Sequence, residues 1–197
     1  KKELYVTIEK KTREGEKINF LGLVFSPIEK IDLLSKGATE LGVSDFYPVK
    51  MQNTVKGQER VKKLYPNIKE AVEQSERLDF PIIHNYDDLF GINYAKHVIT
   101  KLENIGYQFW CLKKTNKNDI ILFCEERSGE NSIRKLLELK KDFQRVFVLV
   151  GPEGGFSDNE KEKIKMFPQV YSINLGKNIL RSETCVISAL TIAKLIL

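Results

Sequence analysis

Apolar runs alternate with helix-like segments over the C-terminal part of the chain. Three nearly continuous apolar runs predict buried strands: DIILFCEE, RVFVLVG and VYSINLG. The segments that follow them predict helices: ENSIRKLLELKK, DNEKEKIKMF and SETCVISALTIAKLIL. Strict alternation of apolar strands with helices indicates an α/β fold, in which a parallel sheet is covered by helices on both faces.

Strand and helix signals also alternate in the N-terminal half. INFLGLVFSP predicts a strand that ends at Pro27, and VSDFYPV and PIIH are further strand candidates. Residues 29–41 have apolar side chains at helical spacing, followed by the helix-stopping Gly42. A second helix is predicted before Pro81, with one face made of Ile68, Ala71, Val72, Ser75 and Leu78. NYAKHVITKLENIG predicts a helix that ends at Gly106, whereas YQFWCLKKTNKN fits either strand or loop.

Residues 1–18 stand apart in the sequence pattern. KKELYVTIEK lacks an initial Met and already alternates like a strand, which indicates a sequence that begins partway through a longer protein. The charged, Gly-containing KKTREGEK that follows predicts a turn. We therefore expect residues 1–18 to be the remnant of an N-terminal unit and residues 19–197 to form the main domain.

Composition and charge are those of an ordinary soluble globular protein. Of 197 residues, 42% are hydrophobic and 30% charged, which argues against disorder. The net charge of +5 suits a polyanionic partner such as RNA, but it is also unremarkable in a protein without one. The longest apolar run, VISALTIAKLIL, is too short to span a bilayer and predicts a buried helix.

The potential metal ligands are widely separated. Cys111, Cys124 and Cys185 form no C-x-x-C pair, and the only histidines are His84 and His97. We therefore predict no metal site, and we expect reduced thiols in a cytoplasmic protein.

The stretch LVGPEGGFSDNE at residues 149–160 joins a predicted strand to a predicted helix. Gly-rich loops at such points often bind phosphate through backbone N–H groups. Here Glu153 would repel an anion and no Lys-Ser or Lys-Thr follows, so a neutral or cationic ligand fits better. The alternative is a tight turn in which glycine only permits unusual dihedral angles. Ser157 and Glu160 have capping-box spacing, which predicts where the helix begins.

Ligands of parallel sheets bind beyond the carboxyl ends of the strands. Three such ends are candidates: residues 124–127, 151–155 and 175–181. The third lies in LGKNILRSETCVISAL, where each feature also has a structural explanation. Ser182 is suited to cap the helix, Glu183 to favour its positive end, and Leu180 to join the core.

The two stretches together resemble a known family. GPEGGFSDNE followed by LGKNILRSETCVISAL is similar to the RsmE family of small-subunit ribosomal RNA uridine-N3 methyltransferases, which belong to the SPOUT class. Three other stretches extend the resemblance, which runs from about Leu21 to the C-terminus: LVFSPIEKIDLLSKGATELGV, EAVEQSERLDFP and IILFCEER. The resemblance implies S-adenosylmethionine as cofactor and a deep C-terminal trefoil knot, an exception to the usual absence of threaded chains. It also implies that residues 1–18 are the remnant of a PUA-like β-barrel. Cys185 stands where the family commonly has Ala.

The resemblance also assigns roles to residues. It implies a cofactor pocket made of Cys124, Glu125, Leu149, Gly151, Glu153, Gly154, Gly155, Leu175, Gly176, Ile179, Leu180 and Thr184. Arg181 would stabilise negative charge on the uracil oxygens or bind a neighbouring phosphate, and Glu183 is a weaker candidate for the proton acceptor. The residues expected to contact RNA are Gln74, Arg77, Arg127 and Lys177. For Gln74 and Arg77, a solvated helix face is the alternative.

The implied partner is 16S ribosomal RNA in the small ribosomal subunit. The class also implies a homodimer through the apolar C-terminal helix, although that helix could equally cover only its own sheet. Two other functions remain open: another SPOUT methyltransferase acting on transfer RNA or a ribose 2'-OH, and a noncatalytic RNA-binding relative. No membrane partner is expected.

Overall fold

A computed structural model describes residues 19–84, 86, 115, 117–125, 133–138 and 143–197 of the chain. The described strands are β1 Phe20–Phe25, β2 Asp45–Pro48, β3 Ile82–Ile83, β4 Asp119–Cys124, β5 Arg145–Val150 and β6 Val170–Ile173. The described helices are α1 Ile31–Glu40, α2 Gly57–Val61, α3 Leu64–Gln74, α4 Ile133–Leu137, α5 Asp158–Lys165 and α6 Ser182–Lys194.

The six strands form one sheet in the order β3-β2-β1-β5-β4-β6, and every described pair is parallel. The central strand β1 pairs with both β2 and β5, so that Gly22 lies beside Asp45 on one side and Phe147 on the other. The prediction of a parallel sheet is confirmed. All strand ends therefore lie at one edge of the sheet, which brings the candidate loops together.

Both faces of the sheet are buried, as the near-continuous apolar strands predicted. Leu23 and Val148 belong to one core cluster, which includes apolar residues of α1, α3, α4 and α6. Phe123 and Leu149 belong to the cluster on the opposite face, which Ile164 of α5 completes. The alternation of side chains along each strand thus supplies two separate cores, each covered by helices.

An ion pair fixes the edge of the sheet where the strands begin. Asp119, which is buried, accepts hydrogen bonds from Arg145 Nε at 3.1 Å and Nη2 at 2.6 Å. The Arg145 guanidinium also lies over the rings of Phe20 and Phe147. The hydrogen bond with Asp119 raises the pKa of Arg145 above its usual value. This bidentate pair joins the first residues of β4 and β5 at the edge opposite the candidate loops.

The helices differ from the predictions at two points. Helix α3 ends at Gln74 because the chain turns at Glu76, whose φ is 55°. Leu78 is therefore outside the helix and 55% exposed, so the prediction that it shares the buried face was wrong. The short helix α2 was not predicted, since none of its residues is buried and no apolar periodicity marks it. The predicted N-terminal strand, the helix ending at Gly106 and most of YQFWCLKKTNKN lie outside the described residues.

The start of α5 is confirmed in detail. Ser157 Oγ accepts a hydrogen bond from the Glu160 backbone N–H at 3.3 Å, and the Glu160 carboxylate accepts one from the Ser157 N–H at 2.9 Å. This reciprocal capping box fixes the direction in which the chain leaves the Gly-rich loop.

Candidate functional site

A cavity of about 230 Å³ lies at the edge of the sheet where β4, β5 and β6 end. Its walls come from the end of β4, the Gly-rich loop after β5, the loop after β6 and the first turn of α6. The lining residues are Cys124, Glu125, Val150, Gly151, Pro152, Gly154, Gly155, Phe156, Lys161, Ile173, Asn174, Leu175, Gly176, Lys177, Asn178, Ile179, Leu180, Ser182 and Cys185. The three strand ends singled out in the sequence therefore meet in one cavity, as ligand sites of parallel sheets do.

Most of the residues predicted to bind a cofactor line this cavity. They are Cys124, Glu125, Gly151, Gly154, Gly155, Leu175, Gly176, Ile179 and Leu180. Leu149 instead lies in the core of the opposite sheet face, because strand residues alternate in direction. Thr184 is exposed on α6, and Glu153 points elsewhere.

The Gly-rich loop is a tight turn that glycine makes possible. The Gly155 N–H donates to the Pro152 carbonyl at 2.8 Å, and Gly155 has a φ of 71°. A Cβ on Gly151 would lie 2.7 Å from the Phe156 ring, which covers this end of the loop. Glycine at position 155 therefore permits an unusual backbone angle, and the same turn forms a wall of the cavity.

The loop after β6 makes the facing wall. Gly176 has a φ of 131°, a conformation that L side chains rarely adopt, and its N–H donates to Asn174 Oδ1 at 2.9 Å. Beyond it Ile179 is 60% exposed while lining the cavity, and Leu180 is half-buried. An exposed apolar side chain beside backbone polar groups suits a flat, neutral ring system.

One carboxylate contributes charge to the cavity wall. Glu125 follows β4 and its side chain is 9% exposed. Lys165 of α5 lies 2.9 Å from Oε1 and 2.8 Å from Oε2, which partly neutralises the carboxylate. Lys165 does not line the cavity, and its ion pair with Glu125 fixes the Glu125 side chain in the cavity wall.

Two thiols meet in the same wall. Cys124, which is buried, is hydrogen-bonded to Cys185 of α6, and this bond together with burial raises the pKa of Cys124 well above its usual range. A protonated thiol is a poor metal ligand. Within the part of the chain that the structure describes, no group of His, Cys, Asp and Glu side chains is arranged to hold a metal ion.

Glu153 does not face the cavity. Its Oε1 accepts a hydrogen bond from the Glu29 backbone N–H at 2.6 Å, and its Oε2 lies 3.4 Å from Arg60 Nη1. Arg60 Nη1 also donates to the Pro27 carbonyl at 3.1 Å. The expected contact between Glu153 and a cofactor has no support in this geometry, since the side chain ties its loop to the segment after β1.

Asn53 contacts the Gly-rich loop and was missed by the sequence reasoning. Its Nδ2 donates to the Gly154 carbonyl at 3.1 Å and to the Gly155 carbonyl at 3.0 Å. Asn53 lies about a hundred residues before these partners, in a segment with no helical or strand periodicity. No local signal in the sequence could have identified it.

The predicted catalytic residues lie beside the cavity rather than in its walls. Arg181 is exposed and precedes α6 as its N-cap residue, immediately before the lining residue Ser182. Glu183 is half-buried in the first turn of α6. Lys177, predicted to contact RNA, is exposed at the cavity wall.

Arg77 has a structural role at the other edge of the sheet. Its Nη1 donates to the carbonyls of Thr39 at 2.8 Å and Val43 at 2.9 Å, and its guanidinium forms an ion pair with Asp79. The side chain is 11% exposed, so neither the expected RNA contact nor a solvated helix face describes it. Gln74 is exposed at the last residue of α3, and Arg127 lies outside the described residues.

Solved structures share this fold. The structure of a ribosomal RNA small subunit methyltransferase E from Neisseria gonorrhoeae bound to S-adenosyl methionine aligns with a TM-score of 0.68 at 22% identity, covering 92% of this chain and 68% of that chain. A probable rRNA-methyltransferase from Porphyromonas gingivalis aligns with a TM-score of 0.70 at 18% identity, covering 94% of this chain and 71% of that one. At these identities the likeness establishes the α/β fold alone.

The sequence identifies the family. Residues 16–194 match the family described as RNA methyltransferase domain, and the chain belongs to it. The chain is also 30% identical over 168 residues to the ribosomal RNA small subunit methyltransferase E of Rickettsia conorii, covering 85% of this chain. It spans 60% of the length of that relative.

A helix that crosses a bilayer needs about 20 predominantly apolar residues. None of the described helices in residues 19–84, 133–138 and 143–197 is both long and apolar enough to cross a membrane.

Proposed function

We propose that this domain transfers a methyl group from S-adenosylmethionine to N3 of a uridine in the 16S RNA of the small ribosomal subunit. The observation that carries the proposal is the cavity at the ends of β4, β5 and β6, between the Gly-rich loop and the loop after β6. The relative in Neisseria gonorrhoeae that has the same fold binds S-adenosyl methionine. The relative in Rickettsia conorii is a small-subunit ribosomal RNA methyltransferase.

The walls of the cavity suit the proposed cofactor chemically. Gly155 and Gly176 leave room for a ligand to approach the backbone, and Ile179 and Leu180 offer apolar surface to an adenine ring. Glu125 is placed to accept hydrogen bonds from ribose hydroxyls. When bound, S-adenosylmethionine supplies an electrophilic methyl group on a sulfonium cation, which the carboxylate of Glu125 tolerates.

The chain's own residues supply positioning and charge for the transfer. N3 of uridine must lose its imide proton, and negative charge develops on the uracil oxygens. Arg181 is the group that stabilises this charge or binds an adjacent phosphate, because its exposed guanidinium lies at the start of α6 beside the cavity. Glu183, two positions later, is the weaker candidate for proton acceptor.

The target nucleotide must be unpaired or extruded, since N3 lies on the Watson–Crick edge of uracil. Lys177 at the cavity wall would hold the RNA backbone beside the reacting base. The prediction that Arg127 contributes to the same contact also stands as part of this proposal. A ribosomal substrate would place the protein in the cytoplasm.

The proposal extends to the topology and assembly of the domain. After β6 at the outer edge of the sheet, α6 returns to pack against β4, β5 and α1, which supports a SPOUT-type trefoil knot. Residues 1–18 would be the last part of a PUA-like barrel. A homodimer would bury the apolar end of α6, where Leu195 is 67% exposed, and light scattering would test this by giving a dimer mass.

A calorimetric titration with S-adenosylmethionine, with ATP and NAD as controls, tests the cofactor assignment. Nucleoside mass spectrometry on small ribosomal subunits incubated with protein and cofactor then tests the reaction, which should yield 3-methyluridine. Cofactor binding with a methylated ribose or a transfer RNA product would assign a different SPOUT substrate. Selective RNA binding without cofactor binding would instead indicate a noncatalytic relative.

A further inference from the structure

The outer side of the Gly-rich loop is held by a segment that lies far away in the sequence. Asn53 Nδ2 donates to the carbonyl oxygens of both Gly154 and Gly155, at 3.1 and 3.0 Å. A side-chain amide has two N–H donors on one nitrogen, so two neighbouring carbonyls satisfy both of these donors. The inner side of the same loop lines the cavity.

The approach of Asn53 explains why residue 154 is glycine. A Cβ built on Gly154 would lie 3.1 Å from Asn53 Cβ, closer than about nine in ten real contacts of a Cβ atom. The glycine therefore admits the asparagine side chain to the loop backbone. The two residues form a matched pair rather than two independent features.

The segment that carries Asn53 is itself anchored. The Gln52 N–H donates to Glu160 Oε1 at 2.8 Å, which ties the segment to the start of α5. Thr54 Oγ1 accepts from the Met51 N–H at 2.7 Å and lies 2.7 Å from Ser26 Oγ. Asn53 thus extends from a fixed support, and its hydrogen bonds can define the position of the loop.

These hydrogen bonds also orient a backbone donor. In a trans peptide the C=O and the following N–H point in opposite directions, and the described residues contain no cis peptide. Because the Gly155 carbonyl points at Asn53, the Phe156 N–H points away from it. Phe156 is among the residues that line the cavity.

We propose that Asn53 is a positioning residue, which fixes the Gly-rich loop so that the Phe156 N–H is available to S-adenosylmethionine. The inference rests on the proposed function. Asn53 does not line the cavity, so it acts on the ligand only through the loop. Its removal should weaken cofactor binding while leaving the fold and the RNA contacts unchanged.

The test compares Asn53→Ala and Asn53→Asp with the unmodified protein and with Gln58→Ala, a change of an exposed amide on α2. For Asn53→Ala we expect the Kd for S-adenosylmethionine to rise about tenfold, the equivalent of losing two neutral hydrogen bonds. Asn53→Asp should weaken binding further, because a carboxylate would face two carbonyl oxygens. S-adenosylhomocysteine should lose the same factor, since a backbone N–H does not distinguish sulfonium from thioether.

Turnover measurements separate positioning from a general loss of stability. The KM for S-adenosylmethionine should rise in Asn53→Ala, while kcat, the KM for RNA and the melting temperature stay close to those of Gln58→Ala. Binding by Asn53→Ala within twofold of the unmodified protein would overturn the inference and leave the proposed function intact. An unmodified protein that binds no S-adenosylmethionine would overturn both.

Discussion

The carboxylate of Glu153 accepts a hydrogen bond from the backbone N–H of Glu29 at 2.6 Å, although 124 positions separate the two residues. Arg60 lies on the other oxygen at 3.4 Å. The acid of the Gly-rich loop is therefore used to join the loops that follow β5 and β1. It holds one wall of the cavity in place from outside, as Asn53 does on the same loop.

Changing Glu153 to Gln should distinguish this bracing role from direct contact with a sulfonium. A carboxylate beside the cation would favour S-adenosylmethionine over S-adenosylhomocysteine, whereas a remote brace affects both alike. We expect the ratio of the two affinities to stay constant and the free energy of unfolding to fall by about 1 kcal/mol, as for a partly exposed hydrogen bond. Titration calorimetry and urea denaturation measure the two quantities. A selective loss of S-adenosylmethionine affinity would return Glu153 to the cofactor site.

Replacing Gly154 with Val should weaken cofactor binding without unfolding the protein. The added side chain would press against Asn53, and the loop and Asn53 must move apart by a few tenths of an ångström to relieve the contact. We expect at least a tenfold loss of affinity for S-adenosylmethionine in calorimetry, which corresponds to about 1.4 kcal/mol. An unchanged circular dichroism spectrum would show that the fold persists. Unchanged affinity would show that the loop does not contact the cofactor.

The strands and the place of the cavity could be predicted because both depend on local pattern. Near-continuous apolar runs identify strands that are buried on both faces, and parallel strands bring their ends to one edge. The direction of side chains in the loops could not be predicted. Glu153 forms a hydrogen bond with Glu29, and Asn53 forms one with Gly154. Both contacts join segments that are distant in the chain, and no periodic pattern in the sequence indicates them.

Arg77 is another residue whose contacts could not be predicted from the sequence. The EQSER stretch resembles a family motif, but resemblance does not reveal which partner an arginine contacts. Three features of the fold decide its role: the end of α1, the loop between α1 and β2, and the acid two residues after Arg77. The guanidinium accordingly stabilises the fold at the edge remote from the cavity.

Arg77→Ala should therefore reduce stability rather than RNA affinity. The change leaves the carbonyls of Thr39 and Val43 without their charged donor, which should cost about 2–3 kcal/mol in the free energy of unfolding.

Lys177→Ala, at the exposed cavity wall, should show the opposite pattern, with weaker RNA binding at unchanged stability. Urea denaturation and fluorescence anisotropy with labelled RNA measure the two effects. Weaker RNA binding by a stably folded Arg77 variant would contradict the structural assignment.

The thiol of Cys124 should react slowly with alkylating reagents. Its raised pKa keeps the neutral thiol dominant at pH 8, whereas only the thiolate reacts with the reagent. The rate should therefore continue to rise above pH 8.5, the pH at which a free cysteine is about half ionised. A Cys111→Ser background restricts labelling to Cys124 and Cys185. Mass spectrometry of peptides after iodoacetamide treatment gives each rate. Saturating S-adenosylmethionine should slow both reactions if it occupies the cavity, and rapid labelling of Cys124 at pH 7 would contradict the predicted direction.

Arg181 provides the sharpest test of the proposed chemistry. It is exposed at the start of α6 and does not line the cavity. If Arg181 stabilises charge on the uracil, its replacement should therefore lower turnover without changing the affinity for S-adenosylmethionine. Arg181→Ala should lower kcat by at least tenfold, about 1.4 kcal/mol of transition-state stabilisation, and leave the Kd for S-adenosylmethionine unchanged. Arg181→Lys should recover part of the rate, because it keeps the charge but loses the planar fork.

Lys69→Ala, which removes an exposed cation from α3, serves as the charge-matched control. A rise in the KM for RNA with unchanged kcat would assign Arg181 to a phosphate contact, and full retention of both constants would exclude it from the reaction.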